Sequence, residues 1–348
     1  MVLSGIQDLD SRFSAEGRIR PIVGGRGNDN HRAEAVGIVN MKQYLISIAD
    51  LSAEEIENIF QLAARIKKSP EKYRTSLQGQ MFGLIFEKPS TRTWISFETG
   101  IFSLGGGTVY LGPEDIKLGV REEVRDVARV LDRYLAGIIL RTFSHQTITE
   151  FRRHFSKVVV NGLSDFEHPC QALADYFTLR ERLPKGRKPA LAFIGDGNNV
   201  LHSLLLLTAS LGGEIHYATP RNHEPSEDVL KRASAIAKKT KAVIQGGYNP
   251  EEAVEGADAV YTDVWVSMGE EKQREEKLKA FRGMQVNEAL MKKAGKGAYV
   301  MHCLPAHRGE EITESVLESK NSIVFDQAEN RLHVQKAVLL HLSGVKRG

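Results

Sequence analysis

Ser90-Thr91-Arg92-Thr93 places three hydroxyls and a guanidinium at the start of a helical stretch that carries Ile95, Phe97 and Ile101. Amides at a helix start and the helix dipole favour an anion, and the extra donors exceed what a simple cap requires. The run reads as a phosphate site, with Arg141 as the second clamp on the same anion. His168 and Gln171 lie one helical turn apart and supply a donor for a carbonyl oxygen and a partner for an amide. A capping histidine is the plainer alternative. Asp263 followed by Ser267-Met268-Gly269 can take an ammonium on its carboxylate and a carboxylate on a hydroxyl and loop amides, although an aspartate ending a strand is also a routine turn residue. Cys303 beside His302 suggests a nucleophile or, with His168 and Cys170, a metal. The ligand spacing matches no zinc pattern, and neither a metal nor another cofactor is expected. Gly195-Asp196-Gly197-Asn198-Asn199 invites a dinucleotide reading, but the third glycine is missing. No acid follows the next strand, which ends in Tyr217-Ala218-Thr219-Pro220. It reads instead as a tight strand–helix turn presenting Asn199.

The elements that must position these groups alternate along the chain. Ser52 and Glu55 form a capping box, and Ile56, Ile59, Phe60, Ala63 and Ile66 give one helical stripe. Strand-like runs recur at Met81–Phe86, Thr108–Leu111, Ile138–Leu140 and Val158–Val160, then at Leu191–Ile194, Ile215–Ala218, Ala259–Tyr261, Tyr299–Met301 and Ile323–Phe325. Helical patterns such as Glu122–Tyr134 and Leu201–Leu211 separate most of them. This is an α/β chain of two doubly wound domains with central parallel sheets. Residues 41–182 and 183–326 are the expected domains, joined near Leu183–Pro189, with a final helix at 327–348, clearest from Glu329 to Leu342, packing back on the first. Ligands of such sheets bind beyond the carboxyl ends of the strands, where the polar runs above all fall. The active site is therefore expected in the cleft between the domains.

The chain has 348 residues, 41% of them hydrophobic and 26% charged, as in globular proteins. Lys and Arg total 47 against 44 Asp and Glu, a net +3 too balanced for a nucleic-acid partner. No run of apolar residues is long enough to span a membrane. Only Cys170 and Cys303 occur, which points to a reducing cytosol rather than a disulfide framework. Residues 1–40 lack both an apolar signal core and the acid-poor composition of a transit peptide; they read as a weakly ordered extension, with Met41 a plausible alternative start.

Phe86-Glu87-Lys88-Pro89-Ser90-Thr91-Arg92-Thr93, His168-Pro169-Cys170-Gln171, Asp196-Gly197-Asn198-Asn199, Asp263 through Gly269 and His302-Cys303-Leu304-Pro305 together resemble an ornithine carbamoyltransferase, from about Met41 to Arg331. The resemblance implies transfer of the carbamoyl group of carbamoyl phosphate to L-ornithine, giving citrulline and phosphate in arginine metabolism. It implies that Ser90, Thr91, Arg92 and Thr93 hold the phosphate with Arg141, and that His168, Arg141 and Arg331 polarise the carbamoyl oxygen. Gln171 and the Cys303–Leu304 backbone would fix the amino group. Asn199, Asp263, Ser267 and Met268 would hold ornithine, with Cys303 near the reacting amine. Cys303, Arg141, His168 and Asp263 are thus the catalytic group. The family also implies a cytoplasmic homotrimer or a multiple of trimers, in which Lys117 reaches the phosphate site of a neighbouring subunit. Two departures stand out. Trp94 replaces the family's second arginine, which should alter packing more than phosphate binding; and typical bacterial members lack the N-terminal extension. The alternatives are a carbamoyltransferase for putrescine or an N-acylated ornithine, an NAD-linked oxidoreductase, and a non-catalytic paralogue.

Overall fold

The computed structural model describes residues 42–344. The extension expected over residues 1–40 lies outside the described residues, as do residues 345–348 of the expected C-terminal helical segment.

The first half of the chain runs β1 (Tyr44–Leu45), α1 (Ala53–Lys68), β2 (Met81–Phe86), α2 (Thr91–Ser103), β3 (Gly107–Leu111), α3 (Val124–Tyr134), β4 (Gly137–Arg141), α4 (His145–His154), β5 (Val158–Leu163) and α5 (Pro169–Arg182). The second runs β6 (Ala190–Ile194), α6 (Asn199–Leu211), β7 (Glu214–Ala218), α7 (Glu227–Thr240), β8 (Val243–Gly247), α8 (Pro250–Val254), β9 (Ala259–Thr262), α9 (Arg274–Ala280), α10 (Glu288–Ala294), β10 (Tyr299–His302), α11 (Glu314–Leu317) and α12 (Val324–Leu342). Two parallel five-stranded sheets result, ordered β1-β5-β4-β2-β3 and β10-β9-β6-β7-β8. The central strands are apolar and buried, as expected where helices cover both faces: Phe82, Leu84, Ile85, Phe86, Ile138, Ile139 and Leu140 have no exposed surface. Each such side chain contributes roughly 1.5–3 kcal/mol by leaving water.

Both sheet orders reverse direction once. The neighbours at the reversal are β2 and β4 in the first sheet and β6 and β9 in the second. Loops leaving two such strands diverge to opposite faces and open a crevice at the carboxyl edge. Phe86 pairs with Arg141 at one reversal, and Ile194 with Thr262 at the other. The polar runs beginning at Glu87, Arg141, Gly195 and Asp263 therefore start where a parallel sheet leaves room for a ligand.

Local chemistry sets the helix starts. The expected capping box is present: Ser52 Oγ accepts from the Glu55 amide, and Glu55 Oε2 from the Ser52 amide. Pro169 opens α5 at a position where a missing N–H costs nothing. The stretch from Pro169 to Leu179 is buried on all sides, so α5 is a central helix, and residues 183–189 join it to β6.

Three features differ from expectation. Ile323–Phe325 is not a strand. Extended pairing beside β10 stops at a single bridge between Val300 and Ser322, and α12 begins at Val324. Val324, Gln327, Arg331 and Val334 recur at helical spacing and are buried, so the helical period prevails over a three-residue β-rich run. Two strands were not anticipated: β1 has only two residues, and β8, Val-Ile-Gln-Gly-Gly, is an exposed edge strand without an apolar run. Helix α12 lies against α1, α2 and α5. A buried polar seam sets its register, with Gln327 donating to Asp175 and Asn330 to Thr178.

Gly197 explains the shape of the turn after β6. A Cβ there would lie 2.3 Å from the backbone at Glu224 and Pro225, so the glycine allows two loops to touch. Gly197→Ala is expected to cost about 1–3 kcal/mol in urea denaturation, because backbone must shift to admit the methyl group.

Candidate active site

A cavity of about 370 Å³ opens where the two sheet reversals face each other. Every site residue singled out in the sequence lines it except Lys117. Lys117 is exposed and ion-paired to Glu114 at 3.2 Å, so it serves no site on its own chain.

The anion side is built on the start of α2. Ser90 is its N-cap, accepting from the Thr93 amide and donating to Thr93 Oγ1. The ordinary cap and the anion site coexist, since the amides at the first two helical positions have no partner within the helix. Arg92, Arg141 and Arg331 converge here from α2, β4 and α12. None of the three has a salt-bridge partner among the described residues. Arg141 is buried, its Nε has no hydrogen-bond partner, and its pKa falls to about 10 through burial and then the charges of Arg331 and Arg92. Burial also lowers Arg331, whose guanidinium donates to Thr93 Oγ1 at 2.8 Å while its Nε stays unpaired. Two unpaired buried cations that repel one another, with the exposed Arg92 beside them, constitute a strong anion receptor.

His168 does not cap its helix by its side chain. Its backbone amide donates to Ser203 Oγ, which donates in turn to Glu167 Oε2. The same Glu167 oxygen accepts from the Ile48 amide, so this buried acid ties three separate segments together behind the imidazole. Burial, then Arg331 and Arg141, hold the His168 pKa well below the usual imidazole range. His168 is therefore neutral at physiological pH and can donate one N–H without adding charge.

Across the cavity, Asp263 is held from several sides. Asn198 Nδ2 donates to Oδ2 at 2.8 Å, while the Cys303 thiol and the Val264 amide both donate to Oδ1 at 2.8 Å. Burial first and Asp263 second push the Cys303 thiol well above its ordinary pKa. The thiol is a donor, and a resting thiolate nucleophile is excluded. Asn199 Nδ2 donates to the Ser164 carbonyl. The loop carrying Ser267 and the half-exposed Met268 is tied down by Glu270, which accepts from the Ser267 amide and from the buried Lys277. Lys277 also pairs with Asp196 at 2.8 Å, so the loop and the turn after β6 share one ammonium. By spacing alone Asp263, His302 and Cys303 could ligate a cation, since their donor atoms lie within 4.8 Å of one another; in this structure the thiol hydrogen bonds to Asp263 and the His302 Nδ1 to the Leu304 amide.

Sequence reading missed several contributors. Lys88 lines the cavity with its ammonium 4.5 Å from the centre of the Phe143 ring, and burial followed by Arg141 lowers its pKa. It lies within the Glu87–Thr93 run, a signal that was present. His307 also lines the cavity, whereas Asn198 and Glu167 work from behind. Trp94 does not line it: the indole packs at a tilt against Tyr110 with ring centroids 4.7 Å apart.

The neutral His168 has a consequence for stability. Its native pKa lies below the unfolded value, so below about pH 6.5 the unfolded chain binds a proton that the native chain refuses, and stability falls with pH. His168→Gln is expected to remove up to about 1.4 kcal/mol per pH unit of that slope, read as the difference between the two proteins in denaturant titrations at pH 7.5 and 5.5.

Residues 43–181 match the family model described as "Aspartate/ornithine carbamoyltransferase, carbamoyl-P binding domain", and residues 187–342 match its "Asp/Orn binding domain". The chain is 48% identical over 304 residues to the ornithine carbamoyltransferase of Methanopyrus kandleri, covering 86% of this chain and 97% of that one. It is 47% identical over 298 residues to that of Bacillus cereus, covering 86% and 93%. Among solved structures, the ornithine carbamoyltransferase of Pyrococcus furiosus superposes with a TM-score of 0.85 at 44% identity, covering 88% of this chain and 99% of that chain. The anabolic ornithine carbamoyltransferase of Campylobacter jejuni gives 0.84 at 40% identity, covering 88% and 100%. With two matched models spanning nearly all of residues 43–342, the chain belongs to the aspartate/ornithine carbamoyltransferase family.

Proposed function

We propose that the chain transfers the carbamoyl group of carbamoyl phosphate to the side-chain amine of L-ornithine, forming L-citrulline and phosphate. The observation that carries this reading is the cavity itself: three guanidiniums without carboxylate partners on one side, and a carboxylate, Asp263, on the other. A dianionic acyl phosphate and a diamino acid match those two charges. The half of the chain around the first sheet, residues 41–182 with α12 returning to it, holds carbamoyl phosphate. The half around the second, residues 183–326, holds ornithine.

In this reading the α2 start (Ser90, Thr91, Arg92, Thr93) and Arg141 hold the phosphate. Arg141, Arg331 and neutral His168 donate to the carbamoyl oxygen, and Gln171 and the Cys303–Leu304 backbone fix its amino group. Asn199, Asp263, Ser267 and Met268 hold ornithine, with Asp263 next to the side-chain amine. The ammonium gives one proton to solvent and the lone pair of the resulting amine attacks the carbamoyl carbon. The new C–N bond gives a tetrahedral oxyanion whose nitrogen carries a second labile proton; the C–O bond to phosphate then breaks, its electron pair leaves on phosphate, and the departing phosphate takes up that proton. The donors stabilise charge on the oxyanion and the leaving group, while the closed cavity supplies proximity. Cys303 contributes by holding Asp263, not by attacking substrate.

The assembly is a cytoplasmic homotrimer, or a multiple of it, serving arginine biosynthesis. Ile95 and Phe102 on α2 and Val109 on β3 support an oligomer, because all three are large apolar side chains exposed to solvent. Two free cysteines fit a reducing compartment. Lys117 then reaches the phosphate of a neighbouring subunit.

Arg92→Ala is expected to lower kcat/KM for carbamoyl phosphate by about 10²–10³-fold in a citrulline assay, and near-normal kinetics would defeat the assignment. Mixing Arg92→Ala with Lys117→Ala subunits tests the shared site. Hybrid trimers that contain one intact site should recover citrulline formation absent from either parent, whereas a mixture no more active than its parents places Lys117 outside the chemistry.

A further inference from the structure

Asp175 lies on α5, one turn beyond Gln171, and is buried without a salt bridge among the described residues. Gln171 Nε2 donates to Asp175 Oδ1 at 2.7 Å, and Gln327 Nε2 on α12 donates to the same oxygen at 2.9 Å. Burial pushes the Asp175 carboxyl up to about 6, against the hydrogen bonds from Gln327 and Gln171. Gln327 is oriented independently, because its Oε1 accepts from the His302 backbone amide and its NH₂ is therefore the end that meets Asp175. The Asp175 Oδ1 that accepts from Gln327 calls for an N–H from Gln171 as well.

Two acceptors near the cavity follow from that orientation. Gln171 lines the cavity, and with its NH₂ turned to Asp175 its Oε1 is left buried without a hydrogen-bond partner. Gln327 Oε1 accepts from the His302 amide at 3.0 Å, and His302 Nδ1 accepts from the Leu304 amide at 2.8 Å. The other ring nitrogen of His302 faces Glu311 Oε1 at 3.1 Å, so the imidazole is held in one tautomer. Leu304 has a φ of +56°, a conformation a branched side chain rarely adopts, and this amide bond helps to hold it there. One buried chain, Gln171–Asp175–Gln327–His302–Leu304, thus links a side-chain acceptor and a backbone loop that both border the cavity.

We propose that Asp175 is a positioning residue for acyl-group selection: it turns the Gln171 oxygen into the cavity, and through Gln327 and His302 steadies the Leu304 loop, so that the cavity accepts an acyl phosphate bearing an amino group and rejects one bearing a methyl group. This rests on the carbamoyl phosphate reading above. An NH₂ satisfies the orphaned oxygen. A methyl group leaves a buried acceptor unpaired, which is how sites built to bind an N–H reject the analogue without one.

The test compares binding of carbamoyl phosphate, acetyl phosphate and inorganic phosphate to the full chain and to Asp175→Leu, Asp175→Asn and Gln171→Leu. In Asp175→Leu the preference for carbamoyl over acetyl phosphate is expected to fall by about tenfold or more, while inorganic phosphate binding changes by less than about threefold. Asp175→Asn, which keeps an acceptor oxygen of the same shape, should retain the preference. Adding Asp175→Leu to Gln171→Leu should cost less than Asp175→Leu does alone, because only the arm through Gln327 and the Leu304 loop is left to lose. Equal weakening of all three ligands in Asp175→Leu would show a merely structural acid and overturn the inference, as would an unchanged preference. If Asp175→Leu does not fold, hydrogen exchange at the Gln171 side-chain amide of the wild-type chain decides: protection with and without carbamoyl phosphate is expected, and exchange at surface rates overturns the proposal. A wild-type chain that makes no citrulline, or binds acetyl phosphate as tightly as carbamoyl phosphate, defeats the substrate reading itself. A wild-type preference that survives in Asp175→Leu defeats only the role given to Asp175.

Discussion

Mutual repulsion between the buried Arg141 and Arg331, with the exposed Arg92 adding to it, is the interaction on which the cavity depends. Three cations are brought together by three distant parts of the chain and left without carboxylate partners, and Arg141 is held against a pKa that has fallen to about 10. Burying two such cations side by side destabilises the empty protein, so the arrangement persists only because the surrounding packing leaves Arg141 and Arg331 nowhere else to go, while Arg92 stands exposed beside them. That packing is visible. Arg141 ends a fully buried strand, Arg331 is carried by a helix wedged against α1, α2 and α5, and Thr93 Oγ1 holds the Arg331 guanidinium in place. An anion entering the cavity neutralises repulsion already present, so little reorganisation remains for the reaction itself.

The parallel sheets supply the geometry that this requires. A reversal in strand order opens a crevice in each sheet, and the chain uses both. Cations gather at the first, and a carboxylate braced by Asn198, Cys303 and its own backbone stands at the second. Asp263 forms no salt bridge with any of the three arginines among the described residues. If Asp263 lay among the arginines it would satisfy them, and the cavity would lose its demand for a ligand. The acids beside the cavity are also kept occupied: Lys277 binds both Asp196 of the turn after β6 and Glu270 of the Ser267 loop, and these pairs outweigh the burial that opposes its charge and raise its pKa.

Much of this was legible in the sequence because the signals are local. Runs such as Met81–Phe86 and Leu191–Ile194 declare buried strands by composition, and Ser52 with Glu55 declares a helix start within four residues. The residues bordering the cavity were legible for a related reason, since each follows a strand directly and parallel sheets bind ligands at that edge. What stayed hidden is non-local. Ile323–Phe325 looks like a strand until the helical period of the next ten residues is weighed, and β8 carries two glycines and a glutamine because an exposed edge needs no apolar run. Asp175 reads as one more polar residue in a helix. Only folding brings Gln327 to within 2.9 Å of it from 152 positions away. Glu167, and the role of Asn198 as a brace for Asp263, escaped notice in the same way, because their partners Ile48, Ser203 and Asp263 are remote in the chain.

Protonation states set by burial constrain the chemistry further. A thiol beside a histidine suggests covalent catalysis, yet Cys303 is raised far from ionisation and its hydrogen is directed at Asp263. An imidazole in a cavity suggests a titrating acid or base, yet burial and two arginines keep His168 neutral. Neither group is poised to change charge at neutral pH. Cys303 is therefore not set up for acyl-thiol transfer, nor His168 for imidazolium acid catalysis. In the proposed reading, fixed donors surround the electrophile and the amine lies against a carboxylate, an arrangement that suits an electrophile already carrying a good leaving group. An acyl phosphate is such a molecule: its bond to phosphate is activated before it arrives, and the protein has only to orient it and to stabilise the charge that its departure creates.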